Sequence, residues 1–129
     1  MKGATMLLTA LAITICPAPP TPRHHCVHDG DTVWWQGEKL RLASIDTPEL
    51  DSERAEIRAA AVRARDRLVE LLALYEVRIE RLGRDRYGRT LACIYSATGP
   101  IGAQLIREGL ATRWRGAKSV CERSVQDRG

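Results

Sequence analysis

Apolar and polar side chains alternate with a period of two through residues 38–46: Leu40, Leu42 and Ser44 fall on one face, Arg41, Ala43 and Ile45 on the other. A strand is predicted there, with Leu40 and Leu42 toward a core and Arg41 turned away from it. Residues 25–35 form another extended run, and Gln36-Gly37 between the two predicts a hairpin. Thr47-Pro48 closes the second strand, because the residue before a proline is held extended and the proline has no N–H for a ladder. The period then becomes helical: Ile57, Ala61, Ala64, Leu68, Leu71 and Leu72 recur on one face to about Leu74. Ser52 is the expected N-cap, and Glu53 and Glu56 suit the positive end of the helix dipole. Val77 to Leu82 alternates again, Gly83 to Gly88 is a turn rich in arginine, and Arg89 to Tyr95 is a further strand. Pro100 opens a second helix that Gly109 closes. The order is strand, strand, helix, strand, strand, helix, with room for an extra strand at residues 23–28. This is a mainly β protein with some α, and a small barrel flanked by helices would cover the edges of such a sheet.

The first residues follow a different rule. Lys2 is the only charge before Arg23, Met6 to Cys16 is apolar, and Pro17, Ala18, Pro19 and Pro20 follow. A basic start, a short apolar run and a small-residue boundary match a secretory leader over residues 1–22, followed by one domain over 23–129 and export to the periplasm or medium. The run is short for a bilayer span, so an uncleaved N-terminal anchor is the alternative. With the leader set aside, Cys26, Cys93 and Cys121 remain: one disulfide and one spare thiol, with Cys121 stapled to either Cys26 or Cys93. The cluster His24, His25, Cys26 and His28 reads as a strand entry. Neighbouring side chains in a strand point to opposite faces, and no second ligand pair has zinc-site spacing.

Composition narrows the class. The chain has 129 residues, 44% hydrophobic and 28% charged, with no Phe, which suits one compact domain with an aliphatic core. The formal charge of +4 is a modest basic excess, so placement matters more than total. Arg78, Arg81, Arg84, Arg86 and Arg89 concentrate in one stretch, and a second basic stretch lies at 107–128. A solvated face explains Arg78, Arg81 and the last residues.

The acids are less easily explained by solvation. In His28-Asp29-Gly30-Asp31-Thr32, Asp29 suits a turn, whereas Asp31 is followed at once by strand-forming residues. If the hairpin brings residues 31–35 beside 41–46, Asp31 and Asp46 converge at one end of the barrel, where Thr47 adds a backbone carbonyl and Glu49 a further acid. Hard oxygen ligands of this kind suit Ca²⁺ or Mg²⁺ and not zinc. Strict alternation places Arg41 and Asp46 on opposite faces, so a shared site requires the strand to end or bulge near Ile45.

In order, H-D-G-D-T-V, R-L-A-S-I-D-T-P-E, D-R-Y-G-R-T-L-A and L-I-R-E-G-L-A resemble the staphylococcal nuclease-like (thermonuclease) family, from about Cys26 to Arg113. The resemblance implies a five-stranded OB-fold-like β-barrel with two or three helices. It also implies a Ca²⁺-dependent phosphodiesterase that hydrolyses DNA and RNA, leaves 3′-phosphate ends, prefers single strands and works as a monomer. Residue by residue, it makes Asp31, Asp46 and the Thr47 carbonyl the calcium ligands and Glu49 the general base. Arg41 and Arg89 become the phosphate-binding pair, and Tyr87, with Arg86 beside it, lines the nucleotide pocket. Trp114 stands near a tyrosine position of the type enzyme and would either stack a base or cover the barrel end. The loop after Glu49 is shorter than the type enzyme's, and the C-terminus leaves little room for a long third helix. A non-catalytic OB-fold nucleic-acid-binding module is the main alternative. A Ca²⁺-stabilised structural domain would leave Arg41 and Arg89 unexplained.

Overall fold

The computed structural model describes residues 12–116 and 120–121. Its strands are β1 (Thr14–Ile15), β2 (Cys26–Asp29), β3 (Thr32–Trp35), β4 (Glu38–Leu42), β5 (Ile45–Asp46), β6 (Arg78–Arg84), β7 (Thr90–Ser96), β8 (Gly99–Pro100) and β9 (Thr112–Arg113). Helix α1 spans Ala55–Leu74 and α2 spans Ile101–Arg107. The main sheet runs β1-β2-β3-β4-β7-β6, with β8 beside β7, and β5 pairs with β9 in a small second sheet. A mixed sheet with two helices is the OB-like fold expected. Residues 117–119 and 122–129, where a third helix was weighed, lie outside the described residues.

The alternation that predicts the strands also builds the core. Val27, Val33, Leu40, Leu42, Ala92 and Ile94 point inward from the sheet to meet Leu68, Leu71 and Leu72 of α1 and Ile101 and Leu105 of α2. Each large aliphatic side chain in this cluster contributes about 1.5–3 kcal/mol by leaving water. Helix α1 begins later than Ser52 predicts: Arg54 is the N-cap and makes no side-chain capping bond. The Ser52 hydroxyl instead accepts the Arg54 N–H at 3.1 Å, an interaction that bends the chain ahead of the helix.

Residues 25–35 are two antiparallel strands and not one extended run. Cys26 pairs with Trp34, Val27 with Val33 and Asp29 with Thr32, so the chain reverses at Gly30-Asp31. This turn is tucked against the rest of the molecule: a Cβ on Gly30 would lie 2.7 Å from Thr47 Cγ2 and 2.8 Å from Ala64 Cβ. Only glycine lets the turn sit under α1 and beside Thr47. The hairpin at Gln36-Gly37 forms as predicted, both residues having positive φ (49° and 91°), the geometry of a tight primed turn.

Strand β4 stops at Leu42, and Ser44 takes φ 72° before β5 begins. This left-handed corner supplies the break that a shared Arg41–Asp46 site requires. Tertiary contacts brace it: the Ser44 carbonyl accepts the Trp114 N–H at 2.9 Å and the Ser44 hydroxyl accepts the Val120 N–H at 3.2 Å.

The cysteines correct the expectation of a spare thiol. Cys93 bonds to Cys121, Cys16 bonds to Cys26, and none is free. The odd count arose from setting residues 1–22 aside. Of these, Ile13 is buried in the core, Thr14–Ile15 pairs in parallel with Cys26 and Val27, and the Cys16 N–H donates to the Val27 carbonyl at 2.9 Å. Among the described residues no helix is long and apolar enough to cross a membrane.

Candidate active site

The turn at Gly30-Asp31 carries Asp31 into a buried position, 7% exposed. Its Oδ2 accepts the Thr47 N–H and the Thr47 hydroxyl, both at 3.1 Å, and its Oδ1 accepts the Thr32 hydroxyl at 3.2 Å. A buried carboxylate with several donors is held in one orientation. Its own carbonyl accepts the Leu42 N–H at 2.8 Å, which ties the turn to the end of β4.

Arg41 spans the corner. Its Nη1 donates to the carbonyls of Leu42 at 2.7 Å and Ile45 at 3.0 Å, on either side of the Ser44 kink. Its Nη2 lies 3.5 Å from Asp31 Oδ2 and 3.5 Å from Asp46 Oδ1. One guanidinium nitrogen therefore faces both carboxylates predicted as metal ligands. Asp46 is half exposed, so the site is open on that side. Strand β9 pairs with β5, setting Thr112 opposite Asp46.

Glu49 is exposed just beyond Thr47. Partial burial of its carboxyl, then the charges of Asp31, Asp51 and Asp46, push its pKa above the ordinary glutamate value, with Arg41 opposing them. Asp29 is pushed up to about 7, first by burial and then by the Asp31 charge. It also accepts the Asp31 N–H at 3.1 Å, so its part in the turn is the one predicted.

Arg89 is held differently. Asp85 Oδ1 accepts the backbone N–H groups of Tyr87 and Arg89, both at 2.9 Å, and Asp85 Oδ2 accepts the Arg89 Nε–H at 2.7 Å. Burial works against the Asp85 charge, but these hydrogen bonds outweigh it and hold the carboxyl below its ordinary value. Sequence analysis gave Asp85 no role, and the structure shows that it positions Arg89. The signal was present in the Asp-x-x-Gly spacing of a side-chain-capped turn. Arg89 and Arg86 each lie 5.4 Å from the centre of the Tyr87 ring, which is 71% exposed. The parallel pairing of Leu40 with Thr90 and Arg41 with Leu91 brings the start of β7, and so Arg89, beside the strand that carries Arg41.

The structure thus joins Asp31, Arg41, Asp46 and Thr47 directly, sets Glu49 within their field, and holds Arg89, Arg86 and Tyr87 as a separate group at the adjoining strand end. Trp114 is 44% exposed, linked through its backbone to Ser44 and lying under Arg115 at 4.6 Å.

An OB-like sheet with an acidic corner spanned by an arginine defines a class of protein, and comparison of sequences narrows it. The family model described as "Staphylococcal nuclease homologue" matches residues 39–127, and the chain belongs to this family. It is 31% identical over 126 residues to an uncharacterized endonuclease of Haemophilus influenzae, an alignment covering 89% of this chain and 67% of that protein. A micrococcal nuclease of Shigella flexneri is 34% identical over 135 residues, covering 89% of this chain and 74% of the relative. A thermonuclease of Staphylococcus intermedius is 34% identical over 91 residues, 66% of this chain and 54% of the relative.

Proposed function

We propose that the protein is an exported, monomeric, Ca²⁺-dependent nuclease that hydrolyses phosphodiester bonds of DNA and RNA, with single strands preferred, and leaves 3′-phosphate ends. The observation that carries this reading is the convergence of Asp31, Asp46 and Arg41 at the Ser44 corner, within the field that raises Glu49. Names of the relatives, an endonuclease and two nucleases, point the same way.

The donors fit a hard cation: two carboxylates share one guanidinium nitrogen, and the Thr47 carbonyl would be the third oxygen ligand. Among the described residues no three His, Cys, Asp or Glu side chains gather as a metal-binding group, so water would fill the remaining positions. When bound, Ca²⁺ supplies positive charge to a phosphate oxygen and polarises a water. Glu49 accepts the proton of the attacking water, and its raised pKa makes it a better base than an ordinary glutamate. Attack in line with the 5′ oxygen expels that oxygen and leaves the phosphate on the 3′ side. Arg41 and Arg89 donate to the charge that builds on the phosphate oxygens, Arg89 with the end of its guanidinium beyond the Nε that Asp85 holds. The exposed Tyr87 ring, with Arg86, offers a base a stacking face that duplex DNA keeps occupied, which favours single strands. All these groups come from one chain, as a monomer requires. Two disulfides suit an oxidising compartment, and a mature chain that keeps the Cys16–Cys26 bond would begin at or before Cys16.

The test is cleavage of single-stranded and duplex DNA and of RNA, with Ca²⁺ or chelator, by the wild type and Arg89→Ala. Cleavage that needs Ca²⁺ and falls by about 10²-fold or more in the variant is expected. Binding without cleavage under every divalent condition would instead make the chain a nucleic-acid-binding module.

A further inference from the structure

Beyond the acidic corner, the outward face of the β3–β4 hairpin carries side chains that the reaction does not use. Cross-strand partners share a face, so the pairing of Thr32 with Arg41 and of Trp34 with Lys39 puts Trp34 and Lys39 on the Arg41 face, two residues from it. Two residues along a strand is about 7 Å, the order of one nucleotide of an extended single strand. The alternation that buries Val33 leaves Trp34 partly exposed on the side where a polar residue is ordinary. Its indole N–H is buried with no hydrogen-bond partner among the described residues, so the edge of the ring faces inward. Over the ring stands the Lys39 ammonium, 5.7 Å from its centre, on an exposed side chain.

Two more groups extend this positive surface. Arg23 donates through Nη1 to His28 Nδ1 at 3.1 Å and through Nε to the Pro17 carbonyl at 3.2 Å, which fixes its guanidinium against His28 of the neighbouring β2. Burial, then the charges of Arg23 and Lys39, lower the His28 pKa, which favours the neutral imidazole that can accept from Arg23. Opposing negative charge near His28 comes from Asp29 at 3.9 Å and from Asp31. On the other side, pairing of Leu40 with Thr90 brings Lys39 abreast of Arg89. A cation, an aromatic face and a second cation therefore continue outward from the phosphate site.

We infer that Trp34 and Lys39, backed by Arg23, form a second nucleotide subsite: the phosphate one step beyond the scissile bond pairs with Lys39, and its base stacks on the Trp34 ring that the lysine uncovers. The occupant is single-stranded nucleic acid. Stacking takes any base, so the subsite adds affinity without sequence preference. It rests on the nuclease reading only for which phosphodiester is cut; the binding does not depend on cleavage.

The experiment compares a fluorescent single-stranded oligothymidylate with thymidylyl-thymidine, which has one phosphate and cannot reach the subsite while it occupies the catalytic one. Binding is read in chelator and cleavage in Ca²⁺, for the wild type, Lys39→Gln, Lys39→Arg and Trp34→Leu, with circular dichroism to check that each is folded. Lys39→Gln and Trp34→Leu are each expected to weaken oligonucleotide binding by about 5–10-fold. Lys39→Gln also flattens the salt dependence of binding by about 0.7 in log–log slope, and Lys39→Arg restores it. In cleavage the variants raise KM on the oligonucleotide far more than on the dinucleotide. Equal losses on both substrates, an unchanged salt slope or a wild type that does not bind the oligonucleotide would overturn the subsite. A wild type that binds with these sensitivities but cuts nothing would overturn the nuclease reading and leave the subsite standing.

Discussion

Arg41 and Arg89 were predicted as a pair, yet the molecule holds them by opposite means. Arg89 is fixed by Asp85, four residues away, inside a single turn that also bonds the Tyr87 and Arg89 N–H groups. Arg41 is fixed by carbonyls on both sides of a kink and by two carboxylates, Asp31 from the Gly30-Asp31 turn and Asp46 from β5. The Asp85–Arg89 turn can form wherever its own residues are present. The Arg41 corner exists only because the sheet, α1 and the C-terminal segment press on it from several sides. Damage to remote braces should therefore reach the Arg41 corner and spare the Asp85–Arg89 turn.

The largest effect should come from the corner itself. Arg41→Ala removes a phosphate donor and the tie across the Ser44 kink together, and is expected to lower kcat/KM for cleavage by about 10³-fold. Arg41→Lys keeps the charge but not the fork, and should recover only a small part of the loss in the same assay.

The Cys93–Cys121 bond comes next, because it holds the segment whose Val120 N–H meets Ser44. Replacing both cysteines by serine is expected to cost roughly 3 kcal/mol in urea unfolding. Cleavage should fall with it, since the Ser44 corner loses a brace. Retained activity in folded protein would show that the corner does not need the Cys93–Cys121 bond.

A smaller loss is expected from the local turn. Asp85→Asn keeps the acceptor for the backbone N–H groups but weakens the hold on the Arg89 guanidinium, and should lower kcat by about 10-fold. A thermal midpoint close to wild type would confirm that this turn does little for the rest of the fold. A large drop in the midpoint would erase the contrast between the two arginines.

The smallest effect is in the pH profile. Glu49 acts when deprotonated, and burial and the neighbouring acids hold its pKa above that of an ordinary glutamate, so cleavage should rise with pH through a limb displaced upward from the ordinary carboxylate range. Asp51→Asn removes one of the like charges that raise it and should move the limb to lower pH at saturating Ca²⁺. A limb that moves upward or stays fixed would remove Glu49 from the role of base.

Local signals made most of the fold legible. Leu40 and Leu42 alternating against Arg41, the helical spacing from Ala61 to Leu72, and Gln36-Gly37 between two extended runs each describe a short stretch with one favourable geometry, and each formed as read. The errors came where a local signal was ambiguous. Residues 25–35 were read as one strand because Asp-Gly-Asp is short enough to lie inside a run. The reversal shows in the antiparallel pairing of Cys26 with Trp34 and Val27 with Val33, and the close approach of Thr47 and Ala64 to Gly30 leaves no room for a side chain there. The spare thiol followed from treating Cys16 as part of a leader, when its partner Cys26 lies on the strand next to it.

Sequence by itself determined which residues of the strands and of α1 face the core and where the Gln36-Gly37 hairpin turns, and it singled out Asp31, Arg41, Asp46, Glu49 and Arg89 as candidates for the chemistry. Their periodicities and short spacings are properties of a few neighbouring residues. Only the tertiary structure decided that Ser44 adopts a left-handed corner, that one nitrogen of Arg41 meets two carboxylates, and that Arg89 rests on Asp85. The corner costs energy at a residue with a side chain, and it persists because carbonyls, Trp114 and Val120 converge on it from parts of the chain far away in sequence.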